Sequence, residues 1–544
     1  MKRYSPDTNN SYDLLIVGGG IYGAAMAYTA ILNGLRTLLV EQDDFGQHTS
    51  AKSQKVLHGG LRYLQTLDIR RVMESIRERQ RFYHLFPHQA QPLPCILPTQ
   101  GYATKGNEAF YLAFRIYRLL ERLVCKKKLD ANRDKRPRLL SRDEVCQRFP
   151  HMQNRKFRGG ALWYDGICLE PERVILGLIG GAMRLGCDAA NYMKAGPIKR
   201  LATDTLSVQL QDTQTNTVHS VSCKKIALCT GPWFQERMLE APLPKALAEL
   251  NLIRGMNLVV PALFDSATSF ATKAVSQAGS RFLFTVPWKT YSIEGTDWQE
   301  CHSREELKEG IEQTTEEFHH LTCGILGFSG TDIPVLSRHI GLVPGCKKGK
   351  EEAAEQILSH YRLVDLEGRK SGDILQVLGV KFTTAFDVVL KALQRLFPKQ
   401  KIQDILAYDN LPQGSPAQEA LSVLSIYQQR YTGILDPGQC QTLFRLFGID
   451  SPAIIKKEFI SVVEHRQPVS TELFYRGLAN HCIEKEMVFH LDDLIYRRIF
   501  PDLPGLPDKE IIDILADVLR EKLGWTQEKR SEEIQSLKQR QQNQ

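Results

Sequence analysis

The stretch that most constrains this chain is residues 13–41, DLLIVGGGIYGAAMAYTAILNGLRTLLVE. Leu14, Leu15, Ile16 and Val17 form an apolar run stopped by three glycines, the pattern of a strand buried on both faces of a parallel sheet. Gly18, Gly20 and Gly23 have the G-x-G-x-x-G spacing. The first permits a tight turn, the second lets backbone approach a pyrophosphate, and the third lets the next helix pack against the strand. Backbone N–H groups from Ile21 to Gly23 can then face phosphates. A small-residue helix follows, with Gly34 as its C-cap, and then a second strand ending at Glu41, eighteen residues beyond Gly23. A carboxylate there can accept hydrogen bonds from an adenosine ribose. Strand, turn, helix, strand and acid together define a dinucleotide-binding unit.

At 544 residues the chain has room for two or three domains. Its net charge of +8 favours anionic partners but is too small to argue for nucleic acid, and none is expected. The twelve cysteines are scattered without C-x-x-C spacing, so they read as buried apolar residues in a reducing compartment, and no metal site is expected. The first ten residues are polar, with no separate secretory signal, which gives a cytoplasmic expectation. Residues 14–32 are uncharged, but the glycine turn divides them into pieces too short to span a bilayer.

Residues 49–64, TSAKSQKVLHGGLRYL, gather hydroxyls, Lys55, His58, Arg62 and Tyr63 around a Gly59-Gly60 turn. This is either a solvated loop entering a helix at Leu61 or a cofactor-lining loop with two cations for an anionic substrate. The words GGGIYG, VEQDDF, TSAKSQKVLHGGLRYL, RERQRFYHLFPH and LPCILP then stand in an order and spacing that resembles FAD-dependent glycerol-3-phosphate dehydrogenases, within the D-amino-acid-oxidase-like flavoprotein superfamily. The resemblance implies bound FAD held by Gly18, Gly19, Gly20, Ile21, Tyr22, Gly23, Glu41 and Gln42. It places Thr49, Ser50, Ser53, Gly60 and Leu61 along the cofactor, and His58, Arg62 and Tyr63 at the active site.

Residues 109–123 have apolar side chains at helical spacing, interleaved with Arg115, Arg118 and Arg122. From 122 to 142 there are nine Lys or Arg against two Asp, which is either a surface for anionic lipid or a solvated excursion. Ser141 opens a capping box with Glu144. WYDGICLEPERVILGLI, from residue 163, resembles the family's return to the cofactor domain, and KIALCTGPW resembles the family's A-T-G-P-W turn, which implies that Thr230 and Gly231 lie beside the cofactor.

Two departures follow. In RGMN, Asn257 stands where the family has a histidine expected to assist deprotonation of the substrate hydroxyl, and an amide cannot act as that base. In GFSGTDIPVLSRH, the family's phosphate-binding arginine is missing and Asp332 lies nearby. Arg338 resembles a second family arginine, or serves the first role through a slipped register. DILQVLGVKFTTAFDVVLKALQRLF, from residue 373, resembles the family's G-G-K-x-T-T turn, with Val380 for one glycine; Lys381, Phe382 and Thr383 would lie against the flavin and Lys381 would add charge to the active site.

The expected fold is α/β, with a Rossmann-like FAD domain (12–98, 155–235 and 325–400), a basic helical excursion (99–154), an inserted antiparallel substrate sheet (236–324), a C-terminal helical domain (411–525) and a polar, frayed tail (526–544). The expected activity is hydride transfer from a hydroxyl-bearing carbon of a small anionic substrate to flavin N5, with electrons passed to a quinone or other acceptor. The expected membrane attachment is at most a peripheral contact with the inner face of an anionic membrane. The rivals are an enzyme of the same fold acting on another hydroxy acid or amino acid, and a flavin-binding accessory protein with little turnover.

Overall fold

The computed structural model describes residue 3 and residues 11–101, 107–125, 136–202, 205–234, 238, 243–276, 279–303, 305–328, 330, 332–346, 356–366, 372–408, 411, 417–501 and 503–542. Most of the basic stretch (126–135), Ser329, Thr331 and the linker at 412–414 lie outside the described residues.

Ser11–Val17 is the axis of the first sheet. It pairs in parallel with Thr37–Val40 on one side and Val218–Leu228 on the other, and parallel pairing continues outward to Asp188–Ala190 and Ile374–Leu378. The apolar run at Leu14 to Val17 is continuous because both faces are covered. Leu14 and Ile16 pack toward the helices Ile21–Leu32, Pro171–Arg184 and Ala385–Leu396, while Leu15 and Val17 pack against Val208 and Leu210 of an antiparallel extension. Helix Ile21–Leu32 lies between the other two helices, and its alanines let all three sit close to the sheet.

The second sheet has nine strands, antiparallel except where Ser269–Ser276 runs parallel to Ala90–Thr99. It draws Val56–Leu57, Ala90–Thr99, Gly159–Cys168 and Ser337–Cys346 from segments expected in the cofactor domain. Local sequence pattern identifies a strand but not the sheet it joins, because the partner is remote in the chain. Along Leu250–Pro261, Asn257 and Val259 face the cofactor-domain side, whereas Met256 and Leu258 lie under helix Ile311–Leu326.

The C-terminal region is helical with its own core around Leu443, Ile455, Leu478, Leu494 and Leu515. The expectation of a frayed tail is corrected here. Gln527–Gln542 is a helix that buries Leu537 and is fastened by Arg530 to Asp513 and Asp517, and by Glu533 to His490 (2.9 Å). A polar composition concealed it, since only Ile534 and Leu537 mark its inner face. Ser141 and Glu144 form the expected capping box, and all twelve cysteines are free thiols. Among the described residues no helix is long and apolar enough to cross a membrane, and no cluster suits a metal ion.

Candidate active site

The glycine turn is built so that side chains cannot enter it. A Cβ at Gly23 would lie 1.8 Å from the carbonyl oxygen of Gly18, and one at Gly18 would lie 2.5 Å from that of Cys229, where φ is already +109°. Gly20 caps helix Ile21–Leu32 without a side-chain bond, and the first turn carries no acid. The Ile21 N–H donates to Ser50 Oγ (3.1 Å), while the Ala24 N–H closes on the Gly20 carbonyl. Helix N-terminal donors beside a bare backbone cradle are the arrangement a pyrophosphate needs. Glu41 Oε2 accepts the Gly19 N–H (2.6 Å) and Oε1 accepts the Asp43 N–H (3.0 Å). Burial pushes this carboxyl above the ordinary range, while the two N–H groups oppose the shift. Gln42 follows at the loop start, half-buried.

Across the turn, the Tyr22 ring lies flat against Gly379, where a Cβ would sit 1.8 Å from Cζ, and its hydroxyl donates to the Lys381 carbonyl (2.6 Å). The first glycine of the Gly379-Val380-Lys381 turn is therefore required, whereas Val380 does not occupy the left-handed region and is accommodated. Phe382 stacks on Phe82 (5.5 Å), and Thr383 is buried. Glu78 caps the following helix by accepting N–H groups of Phe386 (3.3 Å) and Asp387 (2.6 Å). Thr230 and Gly231 end the central strand Val218–Leu228, where Gln376 donates to Thr230 Oγ1 (3.3 Å).

The loop between the sheets sorts its polar residues. Thr49 exchanges hydrogen bonds with Leu342 N–H and carbonyl (3.1 and 3.0 Å), fastening it to the second sheet. Ser53 Oγ accepts the Lys55 N–H (3.2 Å). Lys55 is not one of the pocket cations: its ammonium is buried, donates to the Ala51 carbonyl (2.7 Å) and faces Glu172 at 4.0 Å. His58 remains half-exposed, with Nδ1 3.2 Å from Asp165 Oδ2 and its ring 5.9 Å from Phe284. Gly60, at φ +84°, lies against Ser75, and Leu61 opens the short turn Leu61–Thr66. Arg62 on that turn is exposed, and Tyr63 meets the Lys381 ammonium through both hydroxyl and ring face.

Asn257 is buried on the same sheet face as Phe284, two strands away, or roughly 10 Å. Its Oδ1 accepts the Thr296 hydroxyl (2.7 Å). Arg338 is placed elsewhere. It pairs with Leu258 on the opposite face, where helix Ile311–Leu326 covers the sheet, and its guanidinium engages Glu312. Asp332 is exposed, one residue before Ile333, whose carbonyl meets His319 of that helix (2.8 Å). Tyr63 and Lys381 thus meet at the turn Leu61–Thr66, with Arg62 exposed on it, while His58 precedes the turn and faces Asp165 and Phe284, two strands from Asn257 on the same sheet face.

Asp165 is the member that sequence reading passed over. It is buried in the otherwise apolar strand Gly159–Cys168, and a lone acid in such a strand was the available signal. Burial raises its carboxyl, but His58, the Gly59 N–H and Arg79 outweigh that and hold it below its ordinary value.

A parallel sheet with this glycine turn, joined to a second, antiparallel sheet, defines a dinucleotide-binding protein. The family described as FAD dependent oxidoreductase matches residues 13–346, and the chain belongs to it. The glycerol-3-phosphate dehydrogenase of Synechocystis sp. is 26% identical over 98% of this chain and 97% of its own length. The human mitochondrial glycerol-3-phosphate dehydrogenase is 29% identical over 69% of this chain and 51% of its own, so the chain spans about half of that relative. In fold, the chain is similar to the Bacillus halodurans glycerol-3-phosphate dehydrogenase complexed with FAD (TM-score 0.72, 19% identity, 98% of this chain and 95% of that one). It is also similar to the Mycoplasma pneumoniae L-alpha-glycerophosphate oxidase with FAD bound (TM-score 0.54, 15% identity, 75% and 98%). FAD is the cofactor, and the side-chain-free cradle at Gly18, Gly20 and Gly23 fits its pyrophosphate.

Proposed function

We propose that this chain oxidises a hydroxyl-bearing carbon of a small anionic substrate. The observation that carries the reading is the Asp165–His58 pair, set five residues before the Tyr63–Lys381 contact. Bound FAD supplies the hydride acceptor at its N5 position. Ionised Asp165 can only accept, so His58 Nδ1 carries the proton and Nε2 is left to take the proton of the substrate hydroxyl. Lys381 and Arg62 attract the substrate anion, and Tyr63 orients the Lys381 ammonium. Asn257 offers hydrogen bonds alone. Glu41 and Gln42 serve the adenosine ribose, and Thr49, Ser50, Ser53, Gly60, Leu61, Thr230, Gly231, Phe382 and Thr383 line the remainder of the cofactor.

Electrons pass to a quinone or another acceptor. Tyr111, Leu112, Leu119 and Leu123 are more than half exposed on helix Asn107–Cys125, beside Arg115, Arg118 and Arg122, and this supports peripheral attachment to an anionic membrane. A second reading, an amino acid as substrate, is favoured by Asn257, which supplies no base for a hydroxyl. The test is an anaerobic screen of small hydroxy acids, polyol phosphates and amino acids for bleaching of the flavin. Bleaching by an anionic alcohol supports the proposal; bleaching by amino acids alone supports the second reading; a yellow protein that no compound bleaches is an accessory flavoprotein.

A further inference from the structure

The loop after Glu41 is tied to the glycine turn at three points. Glu41 accepts the Gly19 N–H (2.6 Å), the Gly46 N–H donates to the Gly19 carbonyl (3.1 Å), and the Phe45 ring lies where a Cβ on Gly19 would be (2.4 Å). At the centre of this loop Asp44 is 1% exposed and points away from the turn, into the C-terminal domain. Its Oδ2 takes Arg497 Nε and an Arg498 nitrogen, and its Oδ1 takes the other Arg498 nitrogen (2.9 Å) and Asn191 Nδ2 (2.8 Å).

Two consecutive arginines on one carboxylate are unusual, because neighbours on an α-helix diverge by about 100°. Here Leu494–Ile499 is a π-helix, a local widening that recurs at functional positions. Asp493 takes Arg497 Nη2, accepts the Tyr192 hydroxyl (2.6 Å), and closes its own helix start through the N–H groups of Phe489 and His490 (both 2.9 Å). Arg498 also donates to the Glu486 carbonyl (2.7 Å). Buried charges are costly unless fully paired, so this network specifies an arrangement more than it adds stability.

We propose that Arg497 and Arg498 are positioning residues for FAD: by holding Asp44 they fix the Glu41–Gly46 loop against the glycine turn, and so make the C-terminal helical domain a determinant of cofactor affinity. No catalytic step involves them.

The experiment measures FAD dissociation constants by reconstituting apoprotein and following flavin fluorescence, with apoprotein melting temperature recorded in parallel. Asp44→Asn should weaken FAD binding by about tenfold or more, and Arg498→Lys, which keeps the charge but loses the fork, by less. Glu486→Gln keeps the backbone carbonyl that Arg498 uses and breaks only the side-chain bridge to Arg173 (2.8 Å), which makes no hydrogen bond to the loop; it should lower the melting temperature and leave FAD affinity within about twofold. Wild-type affinity in folded Asp44→Asn would overturn the proposal. So would an equal loss of affinity in Glu486→Gln, which would reveal general loosening. If Asp44→Asn does not fold, Arg498→Lys against Glu486→Gln decides alone, on the same criterion.

Discussion

Asp165 holds both the His58 ring and the backbone that carries it: Oδ2 meets Nδ1 at 3.2 Å, and Oδ1 accepts the Gly59 N–H at 2.8 Å. One buried carboxylate thereby sets the ring's position and its tautomer. Asp165→Asn should break the second function while largely keeping the first, since an amide can donate to Nδ1 and stabilise the tautomer with Nε2 protonated. The rate of anaerobic flavin reduction should fall on the order of 10²-fold, with FAD retention unchanged. An undiminished rate would remove His58 from the base role.

Glu486 gives a pH dependence with a definite sign. Burial would raise its carboxyl, but the two bonds to Arg173 (2.8 Å each) outweigh burial and lower it to about 2. A carboxyl depressed by folding contributes stability above its unfolded value, and that stability is lost as pH falls through the folded one. The contribution, about 3 kcal/mol, should therefore be present at neutral pH and disappear between about pH 5 and pH 2. Urea denaturation across that range should show a shallower acid decline in Glu486→Gln than in the wild type; parallel declines would deny the linkage.

Helix Asn107–Cys125 buries Phe114, Tyr117 and Leu120 while leaving Leu119 58% and Leu123 59% exposed. The Leu119→Asp/Leu123→Asp double variant should lose sedimentation with anionic vesicles at low salt without a fall in melting temperature. Binding by the wild type should itself weaken with added salt. Equal pelleting of wild type and variant, or salt-independent pelleting, would point to another surface.

The glycine turn, Glu41 and the Lys381 turn were legible because each is a local word whose meaning depends on residues within a few positions. Sheet membership was less so. Arg338 is an anion ligand only by its resemblance to a family arginine, yet strand parity turns it to the face covered by helix Ile311–Leu326, and parity is fixed only once Leu258 is its partner. Asp165 and His58 are 107 positions apart, and Asp44 and Arg498 are 454 apart, so neither pairing leaves a trace in local pattern. The terminal helix was hidden for a different reason: its attachment is largely ionic, and ionic residues also mark disordered tails.

Glycerol 3-phosphate should be a poor substrate. Asn257 is buried and its side-chain oxygen already accepts the Thr296 hydroxyl, so the position supplies no base and has part of its hydrogen-bonding capacity in use. The guanidinium of Arg338 is committed to Glu312 on the far face, and Arg71, over the same Tyr63 ring as Lys381, is held by Asp68 (3.5 Å) and the Ser359 carbonyl (2.6 Å), which among the described residues of this turn leaves Arg62 and Lys381 for a phosphate dianion. A carboxylate needs fewer charged partners than a phosphate, and a hydroxy acid can bind those two cations while presenting its hydroxyl to His58. Flavin reduction by glycerol 3-phosphate should then be slower than by the best hydroxy acid by about tenfold or more, the cost of one missing charge-assisted bond to the phosphate at about 1.5–3 kcal/mol, since His58 is the base for both. The deciding measurement is anaerobic reduction at matched millimolar concentrations. Fast bleaching by glycerol 3-phosphate would mean that His58 suffices as base and that two cations suffice for the phosphate, leaving Asn257 with a structural role alone.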